Sequence, residues 1–376
     1  MTSILEKLFG VVLLLSLMCF GLLIGGYIFP MYEDTTQKNI FSEPEYLNDR
    51  ATVNSVDYTG ESNMTIEEAQ KGIVTVYAKK EGKEEVESQG SGFMYTNNHI
   101  MTNEHVVSGT SEFYIQYRNG EWSSAEFVGS DVDTDIAILK PETVPNDVPV
   151  LPMQMRLPSI GEPVVAIGSP SGLETTVTTG VVSSNKVLMT VATTFGIPDS
   201  IQTDAALNPG NSGGPLLSRS NDASVIGINR ATLGENMGYA VSSRMAHEVG
   251  KSIIEKGNHQ HGFVGVNTKS LQYKTDVSKN VGIDYGLIVS NVTEDGPSSN
   301  IGLRAESDNF TAPDILVKVD DKKLRTNEDL SSYIALNKEP GDEITFEIYR
   351  DGNVITRTIE VGNRYNIDNI FRVKRR

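Results

Sequence analysis

The 376-residue chain carries one cysteine, Cys19, one tryptophan and five histidines. A lone thiol cannot close an internal disulfide, and Cys19 lies inside an apolar run. A disulfide framework, a cysteine zinc cluster and a thiol nucleophile are therefore excluded. Positive charge is also scarce, with 32 Lys and Arg against 49 Asp and Glu and a formal net charge of −17. Such a surface repels a phosphate backbone, and the one basic cluster, Arg372, Lys374, Arg375 and Arg376, sits at the C-terminus, so no nucleic-acid partner is expected. Long hydrophobic runs are absent but for one: Phe9 to Phe29 holds 21 residues without a charge. At about 1.5 Å per residue this run can cross a hydrocarbon core of about 30 Å, which predicts a transmembrane anchor over 9–29. A cleaved signal peptide has a shorter apolar run ending at small residues. Lys7 precedes the span while Glu33 and Asp34 follow it. That bias places residues 1–8 in the cytoplasm and the rest of the chain outside a cell membrane crossed once.

The remainder reads as a globular chain rich in turns, 38% hydrophobic with 34 glycines and 15 prolines, long enough for two domains. Residues 30–65 are polar and lack an apolar period, as a solvated linker does. From 66 to 257, short β-rich runs such as "GIVTVYAKK", "EFYIQYRNGEW", "DIAILK" and "PVVAIG" end in an amphipathic helix from Ser242 to Glu255. Asn119-Gly120 marks a hairpin in this region, because both residues tolerate positive φ. Residues 262–363 form a second, mixed α and β unit with a hairpin at Asp351-Gly352 and a helix near Asn327 to Leu336, and 364–376 form a basic tail.

The stretch "NPGNSGGP", Asn208 to Pro215, surrounds Ser212 with glycines. A serine hydroxyl is a weak nucleophile that needs a base for its proton and donors for the developing oxyanion. Glycines allow the sharp turn that aims successive N–H groups at one point, here those of Gly210 and Ser212, and Gly213 and Gly214 leave room for the base and the substrate. A glycine-rich turn with an incidental serine is the competing reading. Among the histidines, His247 falls in the predicted helix, His259 and His261 in the polar hinge "GNHQHG", and His99 in a turn. His105, in "MTNEHVV", follows an apolar run whose end can present it to a cleft. Asp135 in "TDIAILK" opens an apolar strand and can orient that imidazole, whereas Asp131 and Asp133 read as a solvated loop.

Taken together, "TNEHVV", "TDIAILK" and "TDAALNPGNSGGPLL" resemble the trypsin-like serine proteases of the HtrA (Deg) family, and "GSGF" and "AIGSPSGL" extend the match. The resemblance implies a mainly β fold, with two six-stranded barrels flanking the site. It also implies His105 as general base then acid, Asp135 as orienter, Ser212 as nucleophile, and neither metal nor other cofactor. By the same resemblance Ala206, six residues before Ser212, Leu207, Ile228 and Arg230 belong to the specificity pocket, and Ala206 favours a small apolar side chain. Relatives have "GINTA" where this chain has "GINRA", so Arg230 points into solvent, narrows the pocket or attracts an acidic group. Lys186 lies near the place where relatives carry an arginine that relays activation.

"FVGV", "DGPSSNIGLR" and "DILVKVDDKKL" resemble an HtrA-type PDZ domain. Such domains add a peptide as an extra strand and capture its C-terminal carboxylate. Phe263, Val264, Gly265 and Val266 would form the binding loop and strand, and Leu330 and Ile334 would wall the groove. The resemblance implies a homotrimeric endopeptidase of quality control or stress response acting on unfolded or misfolded proteins. A protease cutting one membrane partner and a non-catalytic holdase are the alternatives. Asn63, Asn291 and Asn309 open Asn-x-Ser/Thr sequons, which arise often by chance.

Overall fold

The computed structural model describes residues 64–170, 175–189, 196–219, 222–232, 237–273, 283–308 and 312–364. The predicted anchor, nearly all of the linker, the basic tail from 365 onward, and the sequons at Asn63 and Asn309 lie outside the described residues. The chain divides into units of residues 1–56 and 57–376, and every described residue belongs to the second. Among the described residues no helix is long and apolar enough to cross a membrane.

Helix α1 (Ile66–Lys71) opens with a capping box, in which the Thr65 hydroxyl accepts from the Glu68 amide and the Glu68 carboxylate accepts from the Thr65 amide. Then come β1 (Ile73–Lys79), β2 (Ser88–Thr96), β3 (His99–Thr102), α2 (Glu104–Val107), β4 (Glu112–Tyr117), β5 (Trp122–Asp131) and β6 (Ile136–Pro141). The six strands close a barrel in the order β1-β2-β3-β6-β5-β4. Alternation drives the closure: in β4, Phe113, Ile115 and Tyr117 point inward to Val74, Val76, Ile100 and Leu139 while the residues between them face outward. At the β4–β5 turn Gly120 alone takes positive φ, +89°, and Asn119 does not need to.

A second barrel is built from β7 (Pro163–Gly168), β8 (Thr176–Met189), β9 (Ile197–Thr203), β10 (Pro215–Ser218), β11 (Val225–Thr232) and β12 (Gly238–Ser242), closed in the order β10-β11-β12-β9-β8-β7. Its interior holds Val164, Ala166, Val182, Ile201, Leu216 and Ala240. Helix α3 (Ser243–Lys256) starts at Ser242, whose hydroxyl accepts from the Met245 amide, and stops at Gly257 in the left-handed conformation, one residue from the predicted bounds. Met245, Val249 and Ile253 pack between the barrels against Ile138, Val165 and Val225.

The second domain begins with β13 (Gly262–Phe263), paired with β20 (Gly362–Asn363). Its sheet runs β14 (Val266–Ser270), β15 (Leu287–Val292), β16 (Ile315–Val319), β18 (Glu343–Arg350) and β19 (Asn353–Glu360), with β17 (Lys322–Lys323) beside β16. Asp351 and Gly352 both take positive φ in the β18–β19 hairpin, as the sequence predicts. Helix α4 (Asn327–Asn337) has two packed faces. Leu330 and Ile334 join Val264, Leu316 and Phe346 in the domain core, and Ala335 and Leu336 pack on the core shared by the barrels.

Ion pairs join this domain and its flanking residues to the barrels, among them Lys186–Asp329 at 3.7 Å, Lys256–Glu339 at 3.0 Å, Arg364–Asp133 at 3.3 Å and His261–Asp131 at 3.0 Å. The last is a correction to the sequence analysis, which placed Asp131 in a solvated loop and His261 in a polar hinge. Asp131 is 1% exposed and His261 4%, because the hinge folds back over the β5–β6 turn. Burial alone would raise the Asp131 carboxyl, but the His261 bond and charge and the Thr134 hydroxyl outweigh it and hold the group below the usual range.

His259 lies edge-on to His261, with ring centroids 4.7 Å apart. Burial, and then the His261 charge, draw its imidazole down to about 4 against the opposing pull of Asp131 and Glu339. An unfolded histidine takes its proton near pH 6.5, so between about 6.5 and 4 the unfolded chain binds more protons than the folded one. The contribution of His259 is therefore complete above that window and is lost as pH falls through it. The expected loss is about 1–2 kcal/mol, since a half-buried ring forfeits part of the full shift. Thermal unfolding at pH 7.5 and 4.5 checks this: His259→Gln should flatten the fall in Tm seen in the unaltered protein.

Candidate active site

His105 lies on the short helix α2, Asp135 in the β5–β6 turn and Ser212 on the β9–β10 loop. Asp135 sits in the turn between β5 and β6 with φ +62°, a conformation that aspartate tolerates better than most residues. Two bonds fix its carbonyl, from the Glu104 amide at 3.1 Å and from Asn103 Nδ2 at 2.8 Å. Asn103 stands at the N-cap position of α2 and spends its side chain on Asp135 instead of on the helix, so the turn and the helix that carries His105 are tied together. The Asp135 carboxylate accepts the His105 amide at 2.9 Å and lies 2.8 Å and 3.0 Å from His105 Nδ1 through its two oxygens. Asp135 is 3% exposed and His105 46%. A carboxylate on Nδ1 selects the tautomer protonated there and leaves Nε2 as an acceptor.

Ser212 follows β9 on the loop that leads into β10. Ser91 of the first barrel grips this loop: its amide donates to the Ser212 carbonyl at 2.8 Å and its hydroxyl to the Gly210 carbonyl at 2.5 Å. Gly210 and Gly213 take φ of +94° and +81°. A Cβ at Gly213 would stand 2.1 Å from the Ser91 carbonyl oxygen. The clearance expected there for base and substrate thus serves the seam between the barrels. The amides of Gly210 and Ser212 make no hydrogen bond among the described residues. The Ser212 hydroxyl donates to the Arg230 carbonyl at 3.0 Å.

Of the residues predicted for the specificity pocket, Ala206 is exposed with its carbonyl held by Thr178, Leu207 is buried in the second barrel, and Ile228 is buried in the core between the barrels. Arg230 does not go to solvent: its side chain is 11% exposed and its Nε donates to Asp135 Oδ2 at 2.7 Å. Sequence reasoning marked this residue as a departure but missed its partner. In the second domain, Gly265 takes φ +76° between the buried Val264 and Val266, the first residue of β14. Phe263 belongs to β13. Strand β14 ends the sheet order, and Leu330 and Ile334 are buried on α4 nearby.

An imidazole held by a buried carboxylate, a hydroxyl on a glycine loop and two unbonded amides beside it are the parts that acyl transfer requires. Comparison with known proteins agrees with this chemistry. Residues 90–228 match the family described as Trypsin-like peptidase domain, and residues 262–361 match PDZ domain. The solved structure described as HtrA-type protease AlgW with tripeptide is 30% identical, with a TM-score of 0.66, over 80% of this chain and 96% of that one. The chain belongs to the HtrA-type proteases. Another HtrA relative, Serine endoprotease DegS of Escherichia coli, is 27% identical over 93% of this chain and 97% of its own length. Probable periplasmic serine endoprotease DegP-like of Halomonas elongata is 32% identical over 74% of this chain and 57% of its own. This HtrA chain thus spans less than two thirds of the DegP-like relatives that it matches.

Proposed function

We propose that the protein is a serine endopeptidase acting through an acyl-enzyme on Ser212. His105 Nε2 takes the Ser212 proton as the hydroxyl adds to the scissile carbonyl, and returns it to the leaving amine. Water then repeats the cycle on the ester. Asp135 orients the imidazole and stabilises its charge, and the Gly210 and Ser212 amides receive the oxyanion. The observation that carries this reading is the buried Asp135 bonded to His105 beside a serine loop with two unpartnered amides. Before reaction the hydroxyl turns from the Arg230 carbonyl to His105, an ordinary side-chain rotation.

The substrates proposed are unfolded or misfolded polypeptides with a small apolar residue before the cleaved bond, Ala206 being the exposed pocket residue. Peptide C-termini would pair along β14 and be held by the loop Phe263 to Val266, with Leu330 and Ile334 of α4 as the opposite wall. The 9–29 span would anchor the enzyme to a cell membrane with its two domains outside, and the chain would act as a homotrimer. Control of the cut by the bound peptide is favoured by α4, whose one face packs in the PDZ core beside Val264 while the other lies on the barrels, with Asp329 at Lys186. Incubating full-length protein in detergent with unfolded casein and a fluorophosphonate tests the reading. Cleavage and labelling lost in Ser212→Ala support it, and an unlabelled, inactive protein overturns it.

A further inference from the structure

Arg230 lies at an irregularity of β11. Asn229 pairs with Ala240 and Ala231 with Tyr239, so Arg230 is the extra residue of a β-bulge, a device that re-aims a side chain. The bulge does two things to the site. It brings the Arg230 carbonyl to the Ser212 hydroxyl at 3.0 Å, and it sends the guanidinium to Asp135, where Nε lies 2.7 Å from Oδ2. That oxygen also lies 2.8 Å from His105 Nδ1. The Arg230 side chain is 11% exposed, and its charge is engaged by the carboxylate of Asp135, whose side chain is 3% exposed.

We propose that Arg230 is a positioning residue for this site, holding Asp135 through the same Oδ2 that meets His105 Nδ1 and so fixing the imidazole that must meet Ser212. The inference rests on the endopeptidase reading above. The other donors to this carboxylate, the His105 amide at 2.9 Å from Oδ1 and His105 Nδ1, both belong to α2, so without Arg230 the carboxylate and the ring can shift together. A planar donor on Oδ2 from β11 opposes that shift, because it ties the carboxylate to the second barrel as well as to α2. Displacement of a reacting group by about 1 Å costs about a hundredfold in rate, so the effect belongs in turnover. Because the charge faces Asp135, Arg230 does not recruit acidic substrates.

The test uses full-length protein, a peptide series differing only before the cleaved bond, and the fluorophosphonate labelling rate of Ser212. Arg230→Met is expected to lower kcat and the labelling rate by about ten- to a hundredfold with KM and the order of peptide preference unchanged. Arg230→Lys, which keeps a charged donor, should recover to within about threefold of the unaltered protein. In an Asp135→Asn background, Arg230→Met should cost nothing more, since its effect runs through Asp135. An unchanged kcat in folded Arg230→Met, a changed peptide preference, or a full additional loss in the Asp135→Asn background would each overturn the proposal. Should Arg230→Met fail to fold, Arg230→Gln takes its place in every comparison. Failure of the unaltered protein to label would instead sink the endopeptidase reading.

Discussion

Ser212→Ala is expected to lower turnover of unfolded casein by about 10⁶-fold and to abolish fluorophosphonate labelling. The reason is chemical: the loop Asn208 to Pro215 carries no other hydroxyl. Stability should barely change, because the hydroxyl makes one hydrogen bond, to the Arg230 carbonyl, and is partly open to solvent. The loop is held instead through main-chain groups, by the Ser91 amide on the Ser212 carbonyl and by the Gly213 amide on the Asn229 carbonyl at 2.9 Å. A Tm within about 1 °C of the unaltered protein, together with the lost activity, separates loss of the nucleophile from loss of the fold.

Asp135→Asn should cost about 10⁴-fold in kcat, less than loss of the nucleophile and for a different reason. The amide that replaces the carboxylate presents a donor to Nδ1, so the imidazole turns to the other tautomer and Nε2 carries the proton it ought to accept. Here the substitution carries a second cost. The Arg230 guanidinium, largely enclosed, loses its anionic partner. Breaking a buried pair from one side costs about 3–5 kcal/mol, and the residual exposure of Arg230 puts the expectation at about 3 kcal/mol. Denaturant unfolding of Asp135→Asn, alone and with Arg230→Met, checks this, the double variant being expected to regain part of the lost stability. If Asp135→Asn alone is as stable as the unaltered protein, Arg230 does not depend on the carboxylate.

Much of the site was legible in the sequence, and the limit has a physical form. His105, Asp135 and Ser212 could be picked out because each sits at the end of a short apolar run or in a glycine loop, where local pattern and chemical need coincide. Helix α3 was legible from its apolar face, its serine cap and its terminal glycine. The direction of Arg230 was not, because the strand pattern assigns alternate residues to alternate faces and a bulge suspends that rule for one residue. Nor was the burial of Asp131, since polarity along a loop says nothing about which distant segment will cover it. The hinge that does so lies 130 residues away in sequence.

The joint between the two domains will not respond to ionic strength uniformly. Lys256–Glu339 is open to solvent on both sides and Lys186–Asp329 is partly so, whereas His261–Asp131 is sealed. The Debye length falls from about 10 Å at 0.1 M salt to about 3 Å at 1 M, and screening reaches exposed pairs well before enclosed ones. Added salt therefore slackens the outer rim of the joint and leaves its innermost contact closed, four residues ahead of Asp135. The PDZ domain would gain play by swinging about a fixed point rather than by coming away.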